Sequence, residues 1–216
     1  LDPAYGGFQG PAAAVVRRID RCLGGFIDHL KRLGLYDSSI VILTSDHGDS
    51  LGEGKRWGHA MTLFPEVVRV PLIIHVPAAL RGRITGDTGA VSLSTDITPT
   101  LYALLGYDTQ TDGPLLGTPL VEEATEAEAA GQGVAGRRTA SYLLASSYGP
   151  VYGLLQDNGR SLYIVDAVNR RDYKYDLSER SARRVGISAA ERDAGRSVIR
   201  KNLDELAARY HFVPRP

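Results

Sequence analysis

The sequence predicts an α/β fold: a partial, mostly parallel sheet flanked by helices over residues 1–121, then a small α+β subdomain with an antiparallel sheet over residues 139–216. Three observations carry this expectation. An amphipathic stretch precedes a short, continuously apolar run, the pattern of a helix beside a strand buried on both faces. An Asn-Gly pair stands between two apolar runs in the C-terminal part, which is a hairpin signal. Between the two parts lies a stretch of Glu, Ala and Gly with little apolar bulk.

Taken in order, Val15, Val16, Ile19, Leu23, Phe26, Ile27, Leu30 and Leu33 fall at three-and-four spacing and predict a helix over residues 11–33. Pro11 suits its first turn and Gly34 its stop. Asp37-Ser38-Ser39 reads as a turn into a buried parallel strand at 40–43. Residues 45–66 are rich in Gly, Asp, His, Ser and Glu, a long loop at the strand exit, where open α/β sheets bind ligands. Residues 70–76 predict a second buried strand, and residues 96–105 a helix ended by Gly106. Residues 122–138 read as a linker or surface excursion. Beyond it, strands are predicted at 139–146, 151–156, 161–165 and 173–177, with Asp157-Asn158-Gly159-Arg160 as a hairpin turn. Val198, Ile199, Leu203, Leu206 and Ala207 predict a helix over 189–209.

Composition narrows the function classes. Of the 216 residues 43% are hydrophobic and 23% charged, which suits a soluble globular chain with a sizeable core. Lys plus Arg equals Asp plus Glu at 25 each, so no net field recruits nucleic acid or an anionic membrane. The apolar run 70–80 is broken by Pro71, His75 and Pro77, so no transmembrane segment is expected. The start, Leu-Asp-Pro-Ala-Tyr, has neither an initiator Met nor a signal-like region and is expected to be cut from a longer chain. The single Cys22 allows no internal disulfide and no Cys-rich zinc cluster, and it leaves the compartment open, cytoplasmic or extracytoplasmic. Oligomeric state is left open too.

The densest reactive cluster is Thr44-Ser45-Asp46-His47-Gly48-Asp49 at the exit of the first strand. A Ser-His-Asp triad is disfavoured, because triad members come from separate segments and sequence neighbours on a strand point to opposite faces. There is also no Gly-x-Ser-x-Gly elbow at this place. Metal binding suits Asp46 and His47 better, since a carboxylate oxygen and an imidazole nitrogen are ligands for Zn²⁺, Mn²⁺ or Fe²⁺.

The blocks Leu35-Tyr36-Asp37-Ser38-Ser39-Ile40-Val41-Ile42-Leu43-Thr44-Ser45-Asp46-His47-Gly48, Leu51-Gly52-Glu53, Trp57-Gly58-His59, Arg69-Val70-Pro71-Leu72 and Asp96-Ile97-Thr98-Pro99-Thr100-Leu101 together resemble the sulfatase family of the alkaline phosphatase superfamily. They cover most of residues 11–117, and Tyr173-Lys174-Tyr175-Asp176-Leu177 is a weaker echo in the tail. The resemblance implies that Asp46 and His47 hold one divalent metal ion (Ca, Mn or Zn) and that His59 contacts the sulfate or phosphate group of an ester substrate. His47, where many relatives have Asn, leans the site towards Mn²⁺ or Zn²⁺ over Ca²⁺, which prefers oxygen. Lys55 is a lesser candidate, and Arg69 and Asp96 read as buried or half-buried polar anchors.

Family members attack with a formylglycine made from Cys or Ser in Cys/Ser-x-Pro-x-Arg, or with a Thr or Ser alkoxide. Neither that motif nor its surroundings occur in this sequence, and Cys22 is followed by Leu23-Gly24-Gly25. The expectation is therefore the C-terminal portion of a metal-dependent sulfuric ester hydrolase, with the formylglycine upstream and outside this chain, and with this chain inactive alone. The alternatives are a phosphodiester or phosphonate monoester hydrolase, a phosphoglycerol or phosphoethanolamine transferase of the same superfamily, and a non-catalytic module that binds an anion or a partner.

Overall fold

The computed structural model describes residues 8–107, 116–124, 141–146, 149–179 and 181–210. In its first part the chain forms α1 (Gln9–Arg32), β1 (Val41–Thr44), β2 (Ser50–Leu51), β3 (Trp57–Gly58), α2 (Pro65–Val68), β4 (Leu72–His75), β5 (Ile84–Thr85), α3 (Ile97–Leu105) and β6 (Glu122–Glu123). Then come β7 (Tyr142–Ala145), β8 (Val151–Gln156), β9 (Ser161–Asp166), β10 (Arg171–Asp176), β11 (Arg183–Val185) and α4 (Ala189–Arg209). Packing divides the chain into two compact units, Leu1–Asp46 with Val70–Arg137, and His47–Arg69 with Arg138–Pro216. Residues 47–69, which sequence continuity groups with the first part, thus pack with the C-terminal residues.

In the first unit, α1 ends as Gly34 enters the left-handed region at φ 68°. Its amide bonds to the Lys31 carbonyl while that of Leu35 reaches back to Leu30, so two otherwise orphaned carbonyls are satisfied. The apolar face of α1 is open among the described residues, with Val16 63% and Ile19 55% exposed.

The parallel strand expected at 40–43 is corrected. β1 pairs antiparallel with β4, from Val41 opposite His75 to Thr44 opposite Leu72, and both strands are mostly half-buried. A continuous apolar run reports coverage of two faces but not strand direction. Direction is set by the return path, and the long excursion after Thr44 brings the chain back the opposite way. β5 pairs with β6, so the expected linker at 122–138 opens with a strand. Its remainder from residue 125 lies outside the described residues.

Asp96 is fully buried and serves as the predicted anchor. Its carboxylate accepts from the Leu93 amide at 2.7 Å and from the Thr118 amide at 2.9 Å, clamping a later segment to the start of α3. His75 is structural: its Nδ1 lies 3.1 Å from the Ser39 carbonyl, and Arg81 reaches its Nε2.

In the second unit, the described strands form a five-stranded antiparallel sheet in the order β11-β10-β9-β8-β7. The Asn-Gly turn joins β8 to β9, with Gln156 opposite Ser161 and positive φ at Asp157, Asn158 and Gly159. Leu154, Tyr163 and Ile199 form a core that seats α4 on the sheet, and the capping box of Ser188 and Glu191 starts that helix. Residues 47–69 are seated by a second core, in which Leu63 packs with Val151, Leu162, Ile164 and Tyr175. Phe64 meets Tyr173 edge-on at 5.1 Å between ring centroids.

Candidate metal centre

The loop that carries the reactive residues has more local order than its composition suggests. Ser50 pairs with Gly58 and Leu51 with Trp57, which makes β2 and β3 a miniature antiparallel hairpin. Its turn uses Gly52 and Gly54 at positive φ, and the Gly52 amide bonds to the Arg56 carbonyl at 2.9 Å. Below the hairpin, Glu66 Oε1 accepts from Ser50 Oγ at 2.8 Å, Arg56 Nη2 at 2.7 Å and Arg56 Nε at 3.0 Å. Arg56 also lies over the Phe64 ring, 4.0 Å from its centroid. One carboxylate thereby ties β2 and the end of the hairpin turn to α2.

On this frame His47, Asp49 and His59 converge. One ligand-capable atom from each lies within 4.8 Å of the others. The His47 and His59 rings stack at 3.8 Å between centroids, inclined by 27°. His47 Nδ1 lies 3.0 Å from the Gly48 carbonyl. A carbonyl only accepts, so this contact puts a proton on Nδ1. His59 Nδ1 lies 2.7 Å from Asp49 Oδ1. An imidazole nitrogen with a neighbouring carboxylate oxygen is a mixed donor set that fits Zn²⁺ or Mn²⁺ and suits Ca²⁺ less well.

Of the residues singled out from sequence, the structure brings His47 and His59 together. Asp46 is exposed and ends the first unit, immediately before His47 in the chain, with its carboxylate accepting from Ser45 Oγ at 3.4 Å. Lys55 is exposed in the hairpin turn at φ 63°, and Arg69 is exposed rather than a half-buried anchor. Asp49 received no role from sequence reasoning. The usable signal was register: Asp49-Ser50-Leu51 and Trp57-Gly58-His59 are two short arms around a Gly-rich turn, which aligns Asp49 with His59.

A family model described as Sulfatase matches residues 12–107, and the match contains Asp46, His47, Asp49 and His59. This segment is sulfatase-family sequence. Over 99 residues the chain is 32% identical to the N-acetylglucosamine-6-O-sulfatase of Bacteroides thetaiotaomicron, covering 46% of this chain and 17% of that protein. Over 155 residues it is 30% identical to the choline-sulfatase of Rhizobium meliloti, covering 69% of this chain and 28% of that protein. It is also 34% identical over 95 residues to the multifunctional alkaline phosphatase superfamily protein PehA of Trinickia caryophylli, covering 44% of this chain and 18% of that protein. The chain thus spans less than a third of each of these relatives. No helix among the described residues is long and apolar enough to cross a membrane.

Proposed function

We propose that this sulfatase-family chain supplies part of the metal and ester site of a metal-dependent sulfuric ester hydrolase. Asp46 and His47 hold one divalent ion, and His59 meets the sulfate group. The stacking of the His47 and His59 rings at 3.8 Å, which sets the ester contact beside the metal ligand His47, is the observation that supports this reading. A bound ion would neutralise charge on the ester oxygens. The chain's own residues orient the ring nitrogens, and the Glu66 clasp holds the hairpin that presents them. The 216 residues contain no Cys/Ser-x-Pro-x-Arg, so the formylglycine of this reading is contributed by sequence outside them, and the chain alone is expected to show no turnover.

The similarity to a relative named as multifunctional within the alkaline phosphatase superfamily favours phosphate-ester or phosphodiester chemistry as the second reading. One experiment serves both. Metal content and hydrolysis of p-nitrophenyl sulfate and bis-p-nitrophenyl phosphate are measured on the complete gene product and on its Asp46→Ala and His47→Ala variants. Metal and turnover should fall together in both variants, with the sulfate ester the better substrate. Unchanged metal stoichiometry in both variants removes the ligand assignment, and preference for the diester replaces the sulfatase reading with the second one.

A further inference from the structure

Asp49 and His59 are neighbours because of the hairpin, not because of sequence distance. The ladder that sets Ser50 opposite Gly58 and Leu51 opposite Trp57 places Asp49 opposite His59 at its next rung. Opposed residues of an antiparallel pair carry their side chains on the same face with Cβ atoms about 5 Å apart. Here that proximity closes into a direct contact of 2.7 Å between Asp49 Oδ1 and His59 Nδ1. An ionised carboxylate only accepts, so the hydrogen of this bond belongs to the imidazole and sits on Nδ1. The stacked His47 ring lies against the His59 ring and resists its rotation about the side-chain bonds. Ser50, next to Asp49, is fixed in turn by Glu66.

We propose that Asp49 is a positioning residue: it holds His59 in the Nδ1–H form and turns the opposite edge of the ring, Nε2, into the atom that meets the ester. The inference rests on the reading of His59 as the ester contact and adds which nitrogen performs it and which residue enforces that choice. The arrangement follows the carboxylate–histidine pairing that fixes tautomer and ring orientation in metal and hydrolase sites. It also distinguishes two uses of the same three residues. An ion on His59 Nδ1 would break the bond to Asp49, and an ion on Nε2 would leave that bond in place but occupy the nitrogen assigned to the ester.

The test is ring-nitrogen NMR on the whole chain with its five histidines labelled with ¹⁵N, at a pH where His59 is neutral, the resonance being assigned with His59→Gln. The expected result is a protonated Nδ1 and an unprotonated Nε2 for His59. Asp49→Ala should move it to the Nε2–H form that an unconstrained imidazole favours, and Asp49→Asn, which keeps an accepting oxygen, should restore Nδ1–H. Addition of saturating Zn²⁺ should leave the Nδ1 proton of His59 in place and its Nε2 resonance unshifted. A wild-type His59 protonated on Nε2 overturns the proposal, as does an unchanged tautomer in Asp49→Ala. Loss of the Nδ1 proton, or a coordination shift of His59 Nε2, on zinc addition overturns it in favour of a three-ligand site. The metal-free spectrum requires neither ion nor ester, so it fails independently of the Asp46 and His47 metal measurements.

Discussion

Gly48 lies directly against the backbone of Glu66: a Cβ built on Gly48 would collide with the Glu66 carbonyl, while the Gly48 amide donates to the Val67 carbonyl at 2.8 Å. The residue between the two site residues His47 and Asp49 is therefore glycine because the chain there passes within backbone contact of α2. Gly48→Ala should cost about 1–3 kcal/mol, the range for forcing extra volume into a close contact. Denaturant unfolding measures the cost. The ring-nitrogen spectrum should show the Asp49–His59 bond weakened in parallel, and a variant as stable as wild type would mean that the loop sits elsewhere.

Tyr175 carries the complementary kind of defect. Its side chain is buried, at 4% exposure, and its hydroxyl has no hydrogen-bond partner among the described residues. Burial raises its pKa, since the phenolate would be desolvated there. Tyr175→Phe removes the orphaned hydroxyl and keeps the ring against Phe64. The variant should unfold at higher denaturant, with a gain of up to about 1–3 kcal/mol, the usual penalty for an unsatisfied buried polar group. A clear loss of stability would show that the hydroxyl is satisfied by water.

Acid should loosen the α4 end of the second unit. Glu191 is held down from an ordinary 4.5 to about 2, first by the Lys174 ammonium and then by the Ser188 cap. Asp176 is held down from 3.8 to about 2, first by the Ser178 hydroxyl. Both folded values lie below the unfolded ones. Their stabilisation is therefore complete above about pH 5 and disappears as pH falls through 4.5 and 3.8 towards 2. Circular dichroism during denaturant unfolding at stepped pH checks this. Lys174→Met should return Glu191 towards its ordinary value and flatten its part of the pH dependence.

His59→Ala separates ester contact from metal binding. In the complete gene product it should lower kcat about a hundredfold or more while metal content stays at the wild-type level. Loss of metal together with activity would move His59 into the ligand set.

Where a residue's partners are periodic or local, the fold was legible in the sequence. The apolar spacing from Val15 to Leu33 and from Val198 to Leu206 marked two helices within about two residues of their ends, and Asn158-Gly159 marked its hairpin. Asp46, His47 and His59 stood out by type and by family resemblance. What was not legible depends on long-range pairing. The direction of residues 41–44 is decided by residues 72–75, and an apolar run contains no information about that choice. The seating of Leu63 and Phe64 on the distant β8–β10 face has no local signature either. The Asp49–His59 bond was missed because strands of two residues leave no alternation, and only the symmetry of the two arms about the Gly-rich turn aligns the pair.

The short arms of this hairpin also set rules for how its sequence can vary in length. Residues inserted within the turn between Gly52 and Arg56 lengthen the tip and leave the rungs below it aligned. One residue inserted between Gly58 and His59 is a different change, because side chains alternate faces with a period of two and the imidazole would swing to the opposite side. Among natural or engineered variants, insertions at the tip should be compatible with an intact Asp49–His59 pair. Odd-numbered insertions in either arm should require the histidine to be re-placed by an equal shift.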